Sequence, residues 1–424
     1  MEELVRAALL LLSCGAGLLH LLPSSRPAPP PGPAPNHLRH LQRRYLPAYS
    51  LAVFADWLKG AYVYQLYVQY GYEEQQIATL YVAGFASSAV FGTLTGPAVD
   101  QGGRRRGALV FTAIYTLSAL CKLSPSYWVL LTGRLLGGVA TSLLTVTFES
   151  WYTAEHLQLG LPPAWLVHTF ASSTACSGLL AILAGLVAAT LADTLQLGPL
   201  APFLLAVPVL AACSVVILSS WQENYGARTG SGAGCRAGFA ALAKPAVAAL
   251  ALVQVCVETS MYMFVFLWTP ALGQAQAPLG LVFSCFMLCL LVGSRLVLLL
   301  PERVLLPASL ACMTAALLGC STSPAPPATF LLFLLLELSL GVCLPTLGRL
   351  RGSVLPSHCR AATSSWIRLP TNLLVCLLLL SGTEAATVFR LSSVLCGVGA
   401  GAAGLATLSR LWEIDTTNSE SQTV

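Results

Sequence analysis

Charged side chains are scarce in this chain. Asp, Glu, Lys and Arg make up 9% of its 424 residues, against 56% hydrophobic ones. Soluble domains carry about a quarter charged residues, so this scarcity excludes a soluble globular fold. The surplus of positive charge is small, +5, and is scattered over many short turns, which argues against nucleic acid as a partner. Cys-x-x-Cys pairs with a later partner are missing. The fourteen cysteines, Cys121, Cys176, Cys213, Cys256, Cys285, Cys289, Cys343 and Cys376 among them, lie mostly inside apolar runs and read as small hydrophobes. No metal, disulfide or cofactor is expected from them. His-Glu-x-x-His and Gly-x-Ser-x-Gly are absent, and no Asp pair falls on facing runs, so the sequence points away from an intramembrane enzyme. There is no Asn-x-Ser/Thr acceptor either, so glycosylation says nothing about sidedness.

What the chain has in abundance is long apolar runs. The first, Leu4 to Leu22, precedes a Pro-rich stretch from Pro23 that reads as a stiff spacer. Its start is acidic (Glu2, Glu3) with only Arg6 in balance, a poor signal-peptide leader, so the run is read as a retained membrane helix. Twelve further runs lie near 46–66, 76–96, 107–124, 127–148, 166–191, 199–219, 245–268, 277–299, 303–320, 328–347, 361–381 and 385–410. Each is close to the ~20 residues that span the hydrocarbon of a bilayer. The expected fold is therefore an all-α membrane protein. Its divisions are an N-terminal helix and spacer (1–45), a six-helix half (46–220), a polar linker (221–244), a second six-helix half (245–410) and a disordered tail (411–424).

The charges between the runs set the orientation. Arg39, Arg43 and Arg44 precede the first core run. Arg104 to Arg106 follow the second, Arg228, Arg236 and Lys244 the sixth, Arg303 the eighth, and Arg349, Arg351 and Arg360 the tenth. All of these share one side, which the positive-inside rule makes cytoplasmic. The other side holds Glu73, Glu74 and Asp193, with Lys122 and Arg390 as its basic entries. The turn after the fourth run breaks the pattern, with Glu149 and Glu155 and no Lys or Arg. An N-terminus outside and a C-terminus inside are expected.

One short turn stands out, Gly92-Thr-Leu-Thr-Gly96-Pro-Ala-Val-Asp100-Gln-Gly-Gly103-Arg104-Arg105-Arg106-Gly107. Gly92 and Gly96 have the small-x-x-x-small spacing that lets helices approach closely in lipid. The stretch resembles the signature loop of the major facilitator superfamily. That resemblance implies twelve core helices working by alternating access, with Gly92, Asp100, Gly103, Arg104, Arg105 and Glu149 as gating residues.

Ionisable residues within membrane runs are costly and so mark function. Here they are Asp56 and Lys59 in the first core run, Arg134 in the fourth, Glu258 in the seventh, Glu337 in the tenth and Arg368 in the eleventh. In the facilitator architecture the first, fourth, seventh and tenth helices line the central cavity, and five of these six charges fall on them. Asp56 and Lys59, three apart, can neutralise each other on one helix face. Glu258 and Glu337 can be protonated or paired with an arginine. Guanidinium groups suit the paired oxygens of an oxyanion, which makes Arg134 and Arg368, with Lys59, an expected anion site joined by Asn372 of Arg368-Leu-Pro370-Thr-Asn372. Pro270 and Pro370 are expected to end or kink their helices.

A narrower resemblance rests on several motifs together. They are Asp56-Trp57-Leu58 with Tyr62 and Tyr64, Phe148-Glu149-Ser-Trp151-Tyr152 with Glu155-His156, Trp221-x-Glu223-Asn224-Tyr225, Phe266-Leu-Trp268-Thr-Pro270, Ala277-Pro278-Leu-Gly280, and Arg368-x-Pro370. Over residues 45–410 these resemble the molybdate-anion transporter family. The resemblance implies uptake of the tetrahedral dianion molybdate by a multi-pass plasma-membrane protein, expected to act as a monomer. Transport of another small anion or metabolite, with or without proton coupling, and a non-transporting receptor or scaffold are the competing readings. Two departures from the family pattern are Gly60-Ala61 before Tyr62, where a proline is usual, and the lysine at 59.

Overall fold

The structure, a computed structural model, describes residues 1–21, 36–226, 232–273, 277–299, 302–356, 359–409 and 412. The Pro-rich spacer, residues 227–231 of the linker and the tail beyond 412 lie outside the described residues. Among those described, every regular element is helical, in the order α1 (Glu2–Leu21), α2 (Asn36–Trp57), α3 (Val63–Gln69), α4 (Glu74–Gly102), α5 (Arg104–Leu120), α6 (Tyr127–Gln158), α7 (Pro163–Ala189), α8 (Ala201–Ser220), α9 (Gly232–Ala241), α10 (Pro245–Gly273), α11 (Leu279–Leu296), α12 (Glu302–Cys320), α13 (Pro326–Val354), α14 (Arg360–Leu380) and α15 (Ala385–Leu408). The expected all-α fold is what is found, and every apolar run but the first core one became a single helix. Nine of the described helices are long and apolar enough to cross a membrane, and α4, bent by 55° near Thr93, makes a tenth. The first core run does not make one helix. It starts ten residues early at Asn36, stops at Trp57 and resumes at Val63.

Local chemistry explains several boundaries. Gly71, at φ +85°, closes α3, and Glu73 and Gln76 form a reciprocal capping box that opens α4. Gly103, at φ +102°, is the whole turn between α4 and α5, a conformation that side chains with a Cβ avoid. Of the two outcomes expected for Pro270 and Pro370, an end or a kink, the helix end is not found: both sit inside α10 and α14. In lipid, neighbouring groups can make good the hydrogen bond a proline removes.

The chain forms two compact units, Met1–Thr229 with Phe266–Leu288 and Cys376–Gly382, and Gly230–Val265 with Cys289–Val375 and Thr383–Val424. In the first unit α4 and α5 pack on α6, and α2 packs on α7 and α8. Its core holds Tyr45, Phe111, Phe148, Trp151, Tyr152 and Trp221, with the Trp151 and Trp221 rings stacked 3.9 Å apart. Phe266 joins this unit edge-on to Tyr64 and Tyr81. In the second unit α12 packs on α13 and α15.

The close helix approach is not where the signature spacing placed it. A Cβ at Gly96 would meet nothing within 4 Å, and one at Gly92 would only touch Ser142 Oγ at 3.8 Å. The tight crossing of α4 and α6 lies at Gly138, where a Cβ would fall 2.5 Å from the Gly84 carbonyl oxygen and 2.7 Å from Ser87 Cβ. Gly92 and Gly96 lie beyond that crossing, near or past the bend of α4, where the helices no longer touch backbone to backbone.

Candidate functional site

The break between α2 and α3 brings charge into the interior of the first unit. Gly60 N–H donates to Trp57 O at 3.1 Å, one residue tighter than the bonds of the helix before it, and the chain then swings into α3. A Cβ at Gly60 would press on the Phe283 ring at 3.2 Å, so space is short at this glycine. Asp56 and Lys59 flank the break. They do not form the ion pair that their spacing suggested. Tyr115 of α5 comes between them: its hydroxyl donates to Asp56 Oδ1, and its ring lies beneath the Lys59 ammonium, 2.7 Å from centroid to Nζ. Among the described residues the buried Lys59 Nζ has no hydrogen-bond partner.

Arg134 stands on α6, half-buried, and is held from the side by α4. Its Nε donates to Leu80 O at 3.1 Å and its guanidinium lies 4.5 Å above the Tyr81 ring. Gly84 makes this possible, since a Cβ there would come within 3.1 Å of Arg134 Nη2. A third cation was misplaced by sequence reasoning. Lys122, assigned to an outer turn, is only 4% exposed, and its Nζ donates to Tyr67 OH at 2.5 Å. It falls in a single 3-10 turn after α5, folded inward under Tyr70, whose hydroxyl donates to the Lys122 carbonyl at 2.5 Å. Its interior position had one faint sequence signal, the density of tyrosines from Tyr62 to Tyr72.

Tyr62 is fully buried. Its hydroxyl donates to Asp193 Oδ2 at 2.6 Å and accepts from Gly280 N–H at 3.2 Å. Asp193 sits in a π turn that continues α7. Gly280 lies at the start of α11, so close to α7 that a Cβ would be 2.6 Å from Ala189 N.

The second unit carries the carboxylates. Glu258 Oε1 accepts from Gln254 Nε2 at 2.8 Å, with Arg368 and Arg351 as its charged neighbours. Neither arginine comes within ion-pair distance of it among the described residues. Arg351 was read as a loop residue, but the last turn of α13 carries it. Glu337, also on α13, is 5% exposed, and among the described residues its Oε2 has no hydrogen-bond partner and no arginine of its unit stands within ion-pair distance of it. Arg368 is exposed on α14 and Asn372 half-buried one turn on.

At the basic end of the first unit the expected linker is partly structure. Trp221 to Gly226 lie across the ends of α4, α5 and α6 as a strap. Glu223 caps α5: Oε1 accepts from Arg105 N–H at 2.7 Å and Oε2 from Arg106 N–H at 3.2 Å. Its carboxyl fills the space a Cβ at Gly103 would need, so the positive-φ turn and the cap depend on each other. Asn224 Nδ2 donates to Glu155 Oε1 and to Trp151 O, and Trp151 Nε1 donates to Gln222 O. Asp100 accepts from Arg104 Nε at 2.8 Å, while Gly226 N–H donates to Asp100 O. Arg105 reaches Leu218 O through Nη2 at 3.0 Å. Arg104 and exposed Glu149 line a cavity of about 490 Å³ with Tyr225 and Gly226. Among the expected gating residues Asp100, Gly103, Arg104 and Arg105 are thus brought together, and Gly92 stands apart. The strap predicts that Glu223→Ala, which strips two acceptors and a negative charge from a helix N-terminus, costs about 0.5–2 kcal/mol. Thermal unfolding of the purified protein in detergent reads this, with Glu223→Gln expected to lose less; equal melting of wild type and Glu223→Ala would deny the cap its weight.

An all-helical membrane fold with charges buried along its core helices defines the class: a multi-pass secondary transporter of the major facilitator type. Solved structures share the fold at low identity. A POT family peptide transporter superposes with a TM-score of 0.69 at 13% identity, over 90% of this chain and 98% of that one. An inward-facing, occupied bacterial homologue of the human lysosomal transporter Spinster gives 0.67 at 13%, over 91% and 100%. A family model described as sugar transporters with 12 transmembrane segments matches residues 11–325. Much nearer in sequence are molybdate-anion transporters. That of Takifugu rubripes is 40% identical over 407 residues, 87% of this chain and 83% of the relative. The Xenopus tropicalis protein is 39% identical over 350 residues, 79% of this chain and 77% of the relative. This chain belongs to the molybdate-anion transporter family.

Proposed function

We propose that this chain carries molybdate, or a closely related tetrahedral oxyanion, into cells across the plasma membrane by alternating access. One observation carries the reading furthest: Lys59, Lys122 and Arg134 are gathered in the first unit with Asp56 as the accompanying carboxylate. A sugar, which the name of the family model would suggest, is neutral and offers such a set of cations no counter-charge. An oxyanion does, and stripping its water at mid-membrane requires fixed donors in return. Arg134 and Lys59 are the proposed substrate-binding residues of this unit, Asp56 orienting them through Tyr115. In the second unit Glu258, Arg368 and Asn372 are proposed to take part in binding, and Glu337, with an oxygen left unpartnered, in proton coupling. Asp100, Gly103, Arg104 and Arg105, clasped by the strap, are proposed to set the balance between the two access states, with Glu149 beside them and Gly92 further along α4.

The deciding experiment is mass-quantified molybdate uptake in cells with and without the chain, at measured surface level, challenged by excess sulfate. Uptake above the control cells is expected. Uptake equal to control with the protein at the surface sinks the reading.

A further inference from the structure

The charge of the interior cluster sets more than the sign of the substrate. Lys59, Lys122 and Arg134 interact with one another: Arg134 and Asp56 act on Lys59, and Arg134 and Lys59 act on Lys122. Among the described residues none of the three is within ion-pair distance of a carboxylate. Among the described residues Asp56 is the acid beside them, and it is engaged by the Tyr115 hydroxyl. With both lysines protonated, as a bound anion would hold them, three cations less one carboxylate leave two positive charges. The aromatic rings of Tyr67, Tyr81 and Tyr115 face these cations. Such rings ease a cation's burial but supply no net negative charge. In a poorly polarisable interior, that remainder is costly until a matching anion arrives.

We propose that Lys122 is a specificity-determining residue, which with Lys59 and Arg134 tunes the site to a doubly charged tetrahedral anion over a singly charged one. This rests on the oxyanion reading above. Each cation has a different attachment. Arg134 is tied to Leu80 and Tyr81, and Lys122 to Tyr67, whereas the Lys59 ammonium is buried without a hydrogen-bond partner among the described residues. Lys59 is then the donor left free for the anion's oxygens, and Lys122 acts chiefly by its charge. Removing that charge leaves one uncompensated cation, which a monoanion matches better than a dianion.

The test compares uptake of molybdate with that of perrhenate, a tetrahedral anion of similar size and single charge, in cells carrying the full chain at measured surface level. Wild type is expected to take up molybdate at least about tenfold better than perrhenate. Lys122→Gln should lose molybdate uptake while gaining perrhenate, inverting the ratio, and Lys122→Arg should keep the wild-type order. Lys59→Gln removes one charge at the other lysine and should shift the ratio the same way, which covers a Lys122→Gln protein that fails to reach the surface. Equal uptake of both anions by wild type overturns the inference and leaves oxyanion transport standing. A Lys122→Gln protein that loses both anions in proportion also overturns it, because a structural role lowers rate without changing charge preference. Uptake of neither anion above control brings down the oxyanion reading itself.

Discussion

Arg134→Gln is expected to abolish molybdate uptake, and Arg134→Lys to keep a reduced but measurable part of it. The side chain has two tasks in one group. Through Nε it donates to the Leu80 carbonyl of α4, and its flat face rests on Tyr81, which leaves the Nη edge of the fork turned away from that bond. A planar guanidinium with five donors can do both at once. Glutamine keeps some hydrogen bonding and loses the charge, so an anion would find one fewer cation. Truncating one partner of a desolvated charged contact typically costs about 2–5 kcal/mol, or roughly thirtyfold and upward. Lysine preserves the charge and gives up the fork and the stack over Tyr81, so the rate falls without vanishing. Initial uptake rates at matched surface level decide. If Arg134→Gln transports at the wild-type rate, the arginine is a packing device between α6 and α4 and binds no substrate.

The other large effect is expected at Gly138, one turn beyond Arg134 on the same face of α6. A Cβ there would stand 2.5 Å from the Gly84 carbonyl oxygen and 2.7 Å from Ser88 N, which are backbone atoms that no rotamer change can clear. The two helices would have to part. Overpacking of a well-fitted contact costs about 1–3 kcal/mol for small additions. Gly138→Leu, with three more carbons beyond that Cβ, is expected to prevent accumulation of folded protein, and Gly138→Ala to lower its melting temperature and slow transport together. Transport is affected because Gly84 is also the place where α4 makes room for the Arg134 guanidinium. Gly96→Ala, at a position with nothing within 4 Å, is the control and should melt and transport like wild type. Folded yield by size-exclusion profile, with melting temperature on the same sample, reads these. A Gly138→Ala protein indistinguishable from Gly96→Ala would place the crossing elsewhere.

Much of the architecture is legible along the chain. Runs of about 20 apolar residues, separated by basic turns, can only be satisfied in lipid as helices, because no other local conformation meets its own backbone hydrogen bonds. That alone predicts α4 to α8 and α10 to α15, most of their ends to within a few residues. The clearest miss is α6, which runs on past 148 to Gln158 because its polar last turns are held by packing rather than by lipid. The charges within the runs can also be picked out, since Asp56, Lys59, Arg134, Glu258, Glu337 and Arg368 each interrupt an apolar run, although Arg368 is exposed.

Periodicity, however, says that a residue lies on a helix and not what stands opposite it. The spacing of Asp56 and Lys59 is that of an ion pair, and Tyr115 of α5, far downstream in the chain, separates them. Glycine at four-residue spacing marks a close crossing only if a partner helix passes there; Gly138 has one and Gly96 does not. Lys122 looks like an ordinary outer-turn cation because its burial depends on Tyr67 and Tyr70 folding over it. Likewise, Glu223 and Asn224 read as polar linker, since the orphan N–H groups of α5 that Glu223 caps lie more than a hundred residues earlier.

By itself, then, the sequence determined that this protein is a bundle of membrane helices with a facilitator signature loop and a few costly interior charges. Hydropathy and charge act locally, along the chain, and are complete in the sequence. Which charges share a neighbourhood, which stay unpaired and which loop caps which helix was decided only by tertiary structure. Those outcomes depend on side chains far apart in the chain meeting at distances of a few ångströms, and no local pattern encodes such a meeting.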